Sequence, residues 1–218
     1  MAASMAADRA GVCLRKKAFA PYILSSDTLA RQFCVKVYDG NNVTDQPEFR
    51  EVEQRPMKLS DLLETRDDML QFKVDLDRYA DRFFPGLART TANVGWTFCE
   101  KKRYTNANVR ISGAGWRFPS HFDCGDQVIL HHLGVKRWTI EGQDLVCEPG
   151  DVLFLPAGVW HSARNWDEGA CMISNAQFDT EATPKLTQAF RVNYKHRYEA
   201  GWVRCDDLHV VDADAGAG

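Results

Sequence analysis

Nowhere does the 218-residue sequence hold an apolar run near the ~18 residues that a membrane-spanning helix needs. The N-terminus likewise lacks the uninterrupted apolar core of a secretory signal. No CxxC pair occurs, and the seven cysteines (Cys13, Cys34, Cys99, Cys124, Cys147, Cys171, Cys205) are odd in number and evenly spread. That distribution argues against a disulfide framework and a zinc finger, and it fits a reducing, cytoplasmic setting. An excess of one charge is missing too: 27 Lys+Arg stand against 30 Asp+Glu, a formal net charge of -3. Nothing in that balance draws a nucleic-acid backbone, so the short basic runs at 14–17, 101–103 and 195–197 read as solvated faces and no nucleic-acid partner is expected. With 8 Pro and 15 Gly the chain is neither collagen-like nor low in complexity.

What is present is a globular composition, 44% apolar, 26% charged and 11% aromatic. At this length one domain is expected, burying roughly 70% of the unfolded chain's surface. It should occupy 21–205, centred on about 88–180, between loose tails of small and polar residues at 1–20 and 206–218. The Ala-rich, basic start MAASMAADRAGVCLRKK leaves an organellar transit segment as the alternative reading of the first tail. Helices are expected at 26–33, at 60–64 with Ser60 as N-cap, and at 75–84, where Leu76, Tyr79, Phe83 and Phe84 recur at helical spacing before Pro85-Gly86. After Ala88 come short β-branched and aromatic runs at 92–99, 108–112, 128–133, 136–141, 145–148, 152–155 and 171–178, which read as strands. Gly134-Val135 and Glu141-Gly142-Gln143-Asp144 look like tight hairpins, and Glu148-Pro149-Gly150-Asp151 like a β-turn. The array implies a sandwich or barrel, closed by a helix at 183–198 with Leu186, Ala189, Phe190 and Tyr194 on one side.

The chemistry-bearing residues cluster in FPSHFDCGDQVILHHLGVKRWTI (118–140) and EPGDVLFLPAGVWHSARN (148–165). Side chains at i and i+2 share a face of an extended chain, so His121 and Asp123 can grip one ion from the same side. His161, after the strand at 152–155 and the Pro156-Ala157-Gly158 turn, is the candidate third ligand. Two imidazoles and one carboxylate with open positions suit non-heme Fe(II) and O2. An HxD pair alone is a weak signal, and its rarity here comes from the joint pattern. His131 and His132 lie inside an apolar run and read as structural histidines, with His131 retaining a pocket-lining alternative. Trp138 and Trp160 read as core, with a place on the pocket wall as the alternative, Arg137 as solvated, and His196 and His209 as surface residues.

Those two segments resemble the JmjC-type, cupin-like Fe(II)/2-oxoglutarate oxygenases, in particular their small hydroxylase branch, over about 107–178. The resemblance implies a mainly β, double-stranded β-helix (jelly-roll) with flanking N- and C-terminal helices. It implies Fe(II) on His121, Asp123 and His161, and it puts Lys136, in the G-x-K position after Gly134, on the far carboxylate of the cosubstrate 2-oxoglutarate. A cation there is also what a buried carboxylate requires. Asn175 stands one residue nearer the distal histidine than the family's pocket asparagine, and the polar residue that precedes the HxD pair in the family is replaced by Phe118 and Pro119, leaving Ser120, Asn108 or Thr139 to serve. Only 37 residues separate Asp123 from His161, fewer than in many members. The implied activity is hydroxylation of a C–H bond of a small molecule or protein side chain with release of succinate and CO2, and the implied assembly is a homodimer through the helix at 183–198. Two readings stand beside it: a cupin metalloenzyme with the same ligands but no 2-oxoglutarate, acting as a dioxygenase or isomerase, and a non-catalytic binding module of the same fold.

Overall fold

The connections between strands decide which of two sheets each strand joins. The computed structural model describes residues 11–39, 50–66, 70–166 and 169–186. In chain order these form β1 (Cys13–Arg15), α1 (Ser26–Ala30), β2 (Gln32–Asp39), β3 (Arg50–Lys58), α2 (Leu59–Glu64), β4 (Leu70–Asp75), α3 (Leu76–Phe83), α4 (Leu87–Trp96) and β5 (Arg103–Ser112). There follow β6 (Arg117–His121), β7 (Asp126–Leu133), β8 (Lys136–Ile140), β9 (Gln143–Cys147), β10 (Val152–Leu155), β11 (His161–Asn165) and β12 (Cys171–Asp179). The strands make an eight-stranded sheet ordered β1-β10-β7-β12-β5-β4-β2-β3 and a four-stranded sheet ordered β6-β11-β8-β9. From β5 onward the chain shuttles between the two, all pairings antiparallel, which is the double-stranded β-helix expected.

Turn chemistry carries the shuttling. Glu141 (φ 47°) and Gly142 (φ 81°) connect β8 to β9 as a two-residue hairpin with both central residues left-handed. Gly134-Val135, expected as a hairpin, instead passes the chain from β7 in the large sheet to β8 in the small one. Gly134 is required there, because its φ is 69° and a Cβ would stand 2.1 Å from the Ala170 carbonyl oxygen. The Glu148–Asp151 turn closes with Asp151 N–H donating to the Glu148 carbonyl at 3.0 Å and returns the chain to the large sheet.

Two further expectations change. Residues 92–99, read as a strand, belong mostly to α4, whose buried Leu87, Thr91 and Gly95 recur every four residues. A Cβ on Gly95 would come within 2.8 Å of the Phe178 ring, so the helix lies directly on β12. Within the stretch assigned to a loose tail, Cys13–Arg15 pair with β10, and Lys16 and Lys17 close over the buried Asp151. That carboxylate accepts from Lys16 Nζ at 2.7 Å, Lys17 N–H at 3.0 Å and Glu148 N–H at 2.8 Å. Burial alone would raise its pKa, and these donors outweigh burial and hold it below the usual carboxylate range.

Ser60 lies inside α2 rather than capping it; the cap position is Lys58, with no side-chain hydrogen bond. The helix expected at 26–33 stops at Ala30, since Gln32 already pairs with Lys58 in β2 and β3. Of the helix expected at 183–198, residues 183–186 are helical and the remainder lies outside the described residues.

The core has two parts. Phe33, Phe72, Phe83 and Phe84 pack with Leu59, Leu62 and Leu76 over the β4-β2-β3 end of the large sheet. Ile129, Trp138, Ile140, Leu153, Leu155 and Ile173 fill the space between the two sheets. β7 is buried on both faces: Gln127 and Ile129 point between the sheets, while His132 points toward α4. His132 Nδ1 accepts from Tyr22 N–H at 3.0 Å, and its Nε2 meets Ser174 Oγ at 2.8 Å. Ser174 Oγ in turn lies 2.7 Å from Thr91 Oγ1, which donates to the Leu87 carbonyl. Both ring nitrogens have partners, confirming a structural histidine, and burial lowers its pKa to about 4.

Candidate metal centre

Register brings the ligands together. β6 ends and β11 begins on a directly opposed pair, His121 and His161, with ring centroids 4.3 Å apart. Asp123 follows two residues after His121 on a loop tied to the opposite connection: Gly158 N–H donates to the Asp123 carbonyl at 2.9 Å, and Ala157 N–H to Asp126 Oδ1 at 2.9 Å. Lys102 pairs with the same buried Asp126. The Pro156-Ala157-Gly158 turn is thereby fastened to the HxD loop. One ligand atom from each of His121, Asp123 and His161 lies within 4.8 Å of the others. His161 Nε2 stands 3.5 Å from Asp123 Oδ2, and its Nδ1–H donates to the Val159 carbonyl at 2.9 Å, which leaves the Nε2 lone pair aimed at the trio. A nitrogen, nitrogen, carboxylate donor set with solvent access suits a divalent ion such as Fe(II) and leaves coordination positions open.

The trio opens on a solvent-connected cavity between the two sheets. Phe118, Ile129, Trp138 and Ala163 give it apolar walls. Lys136 reaches it from β8 at 3% exposure, and no carboxylate or hydrogen-bond acceptor of the described residues pairs with its ammonium. Burial, with a smaller push from Arg110, lowers its pKa. Asn175, also on the wall, donates from Nδ2 to Gln127 Oε1 at 2.6 Å, while its Oδ1 is buried without a partner. The ammonium and the amide oxygen each carry a desolvation cost that no group of the described residues offsets.

Of the residues expected in the site, His121, Asp123, His161, Lys136 and Asn175 all face this cavity. Asn108 does not: it sits on β5 behind Arg110, accepting from Arg110 Nε at 3.2 Å, and the longer arginine reaches the cavity in its place. Thr139 faces outward and donates to Asp144, and Ser120 is exposed. Trp138 lines the cavity as well as the core, and its Nε1–H donates to His131 Nε2 at 3.3 Å. His131 stays behind that wall, fully buried, with its pKa lowered to about 3 by burial. Trp160, expected in the core, is 46% exposed because it alternates with His161 and lies edge-on to Phe122 on the outer side. Arg137 is half-buried, its guanidinium 3.7 Å from the Trp166 ring centroid and 3.3 Å from Asp144. Sequence reasoning missed Arg110, Gln127 and Gln71 on the cavity wall. The signal for Arg110 was its i+2 spacing from Asn108 on a strand already recognised.

Fold and side-chain trio together define a cupin-type double-stranded β-helix with a His-Asp-His set whose geometry suits a metal ion. Residues 109–175 match the family model described as the cupin domain. A comparison with curated proteins finds no match. Among solved structures, the chain is similar to YcfD of Escherichia coli at 18% identity and a TM-score of 0.53, covering 95% of this chain and 60% of that one. It is similar also to the structure of YcfD described as a ribosomal oxygenase in complex with cobalt and 2-oxoglutarate, at 19% identity and a TM-score of 0.53, covering 95% of this chain and 59% of that one. The chain thus spans about three fifths of these relatives, and at this identity the likeness is one of fold. It is the fold to which the residues at 107–178 already pointed.

Proposed function

We propose that the chain is an Fe(II)- and 2-oxoglutarate-dependent oxygenase that hydroxylates a C–H bond of a small molecule or a protein side chain. The observation that carries this reading is a buried, unpaired ammonium, Lys136, facing the same cavity as three open metal ligands. In a cosubstrate-free cupin site that cation would need an anionic substrate instead. Bound metal and 2-oxoglutarate would supply the oxidising chemistry, consuming O2 and releasing succinate and CO2 as the substrate gains a hydroxyl group. The chain's own part is positional. His121, Asp123 and His161 hold the ion, with the Val159 carbonyl fixing the His161 tautomer. Lys136 binds the far carboxylate, Asn175 offers an acceptor to the ligand's first hydration layer, and Phe118 and Trp138 keep bulk water out. The similarity to an oxygenase crystallised with cobalt and 2-oxoglutarate supports the choice of cosubstrate. The free cysteines among the described residues support a reducing, cytoplasmic setting, and no helix of these residues is long and apolar enough to cross a membrane.

Anaerobic absorbance titration tests the reading. Fe(II) followed by 2-oxoglutarate should raise a visible metal-to-cosubstrate charge-transfer band that His161→Ala abolishes and that needs more cosubstrate in Lys136→Ala. Iron binding without the band would refute the 2-oxoglutarate reading and leave cosubstrate-independent cupin chemistry.

A further inference from the structure

Two cations face the cavity from opposite sheets, and the proposed function uses one. Arg110 reaches it from β5 as Lys136 does from β8. Its guanidinium is held at two points: Nε donates to Asn108 Oδ1 at 3.2 Å, and Cζ lies 5.7 Å from the Phe118 ring centroid. Neither contact engages the terminal nitrogens, and no carboxylate of the described residues pairs with the group. Phe118 stands edge-on to His121, centroids 4.4 Å apart, so one aromatic ring separates the guanidinium from a metal ligand. Arg110 is therefore oriented before any ligand arrives, with its two-nitrogen end unspent.

Charge counting gives the same direction. A divalent ion on two neutral imidazoles and one carboxylate leaves one positive charge, Lys136 and Arg110 add two more, and a 2-oxo diacid cancels two. One positive charge in a largely apolar pocket still requires an anion. Burial and the Arg110 charge both lower the Lys136 pKa, as two cations facing one cavity should.

We propose that Arg110 is a second carboxylate-binding residue of this cavity, gripping an anionic group of a bound ligand through its two terminal nitrogens. The proposal rests on the cavity being the reactive site argued above. An arginine suits the task because its planar fork matches both oxygens of a carboxylate, and the Asn108 and Phe118 contacts remove most of its rotamer freedom beforehand. Two sources offer that carboxylate: the far end of the 2-oxo diacid, shared with Lys136, or an acidic group of the substrate itself.

Calorimetric titration of the full chain loaded with Mn(II), which binds without turnover, separates them. The probes are 2-oxoglutarate, 2-oxovalerate (which lacks the far carboxylate), and the pairs butyrate/butyramide and benzoate/benzamide added to cosubstrate-saturated protein. If Arg110→Gln weakens 2-oxoglutarate about tenfold or more and barely moves 2-oxovalerate, the group is bound and belongs to the cosubstrate. If it spares both oxo acids and closes a wild-type preference for acid over amide, the group belongs to the substrate. Arg110→Lys should recover part of either loss, since charge without the fork is retained. The proposal is overturned if Arg110→Gln leaves every affinity in place, or weakens acids and amides alike as a packing defect would. Far-ultraviolet circular dichroism checks that the variants fold. Wild-type protein that takes Mn(II) but no 2-oxo acid would sink the cosubstrate reading alone, and the acid/amide comparison without cosubstrate would still decide Arg110.

Discussion

Lys136→Met separates a ligand-binding cation from a side chain that merely packs, because it moves stability and binding in opposite directions. Lys136 is 3% exposed, and no carboxylate of the described residues compensates it. Replacing a desolvated, unpaired ammonium by a flexible apolar chain of similar length removes a cost, so the ligand-free melting temperature should hold or rise. The pH dependence has a definite sign. Burial depresses the folded-state pKa below the ordinary 10.5, so between those two values the unfolded chain binds more protons. Wild-type stability therefore climbs with pH through that window, the full penalty applies below the folded-state pKa, and the methionine variant loses the slope. Binding goes the other way. A charge-assisted hydrogen bond to the far carboxylate is worth ~1.5–3 kcal/mol, so 2-oxoglutarate should bind about 10- to 150-fold more weakly. Scanning calorimetry from pH 7 upward and the anaerobic charge-transfer titration read the two effects. A variant that melts earlier than wild type yet binds cosubstrate equally well would refute the assignment.

Three other outcomes follow from the same contacts. His161→Ala should cut metal affinity by more than the ~10–100-fold that loss of a supporting hydrogen bond brings, with the far-ultraviolet spectrum unchanged, as measured by metal content after dialysis. Asp151→Asn should lower stability by ~1–3 kcal/mol, Lys16 being half exposed and its share reduced accordingly. Because the folded-state pKa of Asp151 is lowered, that contribution is present above the ordinary value of 3.8 and disappears as pH falls through the folded-state value; equal urea midpoints for variant and wild type at pH 7 would contradict it. His132→Gln should flatten the acid limb of the stability curve. Burial holds the wild-type imidazole at about 4 against an ordinary 6.5, so protonation of the unfolded chain costs about 3 kcal/mol as pH falls between those values, which urea titrations at pH 7 and pH 4.5 resolve.

Six of the eight strands from β5 to β12 were legible because each presents an apolar run bounded by Gly, Pro or Asn; β6 (RFPSH) and β11 (HSARN), which hold His121 and His161, present no such run and were not read as strands. Two other kinds of element escaped as well. The run at 92–99 has strand-like Val94, Trp96 and Phe98, yet α4 wins because Leu87, Thr91 and Gly95 place small and apolar groups on one stripe, and Gly95 lets that stripe touch Phe178. Its short length gave the helical period too few repeats to outweigh local β propensity. Cys13–Arg15 carry no periodic signal at all. Their pairing with β10 is bought by contacts more than 130 residues away, the closure of Lys16 and Lys17 over Asp151, and such partners are invisible to any local window.

The site divides along the same line. His121 and Asp123 are two residues apart, and Lys136 and His161 stand at spacings that a family pattern records, so all four could be named from the chain alone. What no spacing states is which wall faces which. Lys136 and Asn165 are cross-strand partners, as are Ile140 and His161, so along the small sheet the Lys136 backbone lies four residues from the metal end, roughly 13 Å at ~3.3 Å per residue. A lysine side chain leaning back along the strand spans part of that length, and a five-carbon diacid spans much of the rest. Arg110 enters from the large sheet, where its cross-strand partner is Ile173 of β12. Its place opposite Lys136 exists only once both sheets have closed. Alternation on β5 says that Asn108 and Arg110 share a face, but only packing decides that the shorter side chain supports and the longer one reaches. A cation whose role depends on two sheets meeting is found in the structure and in no spacing along the chain.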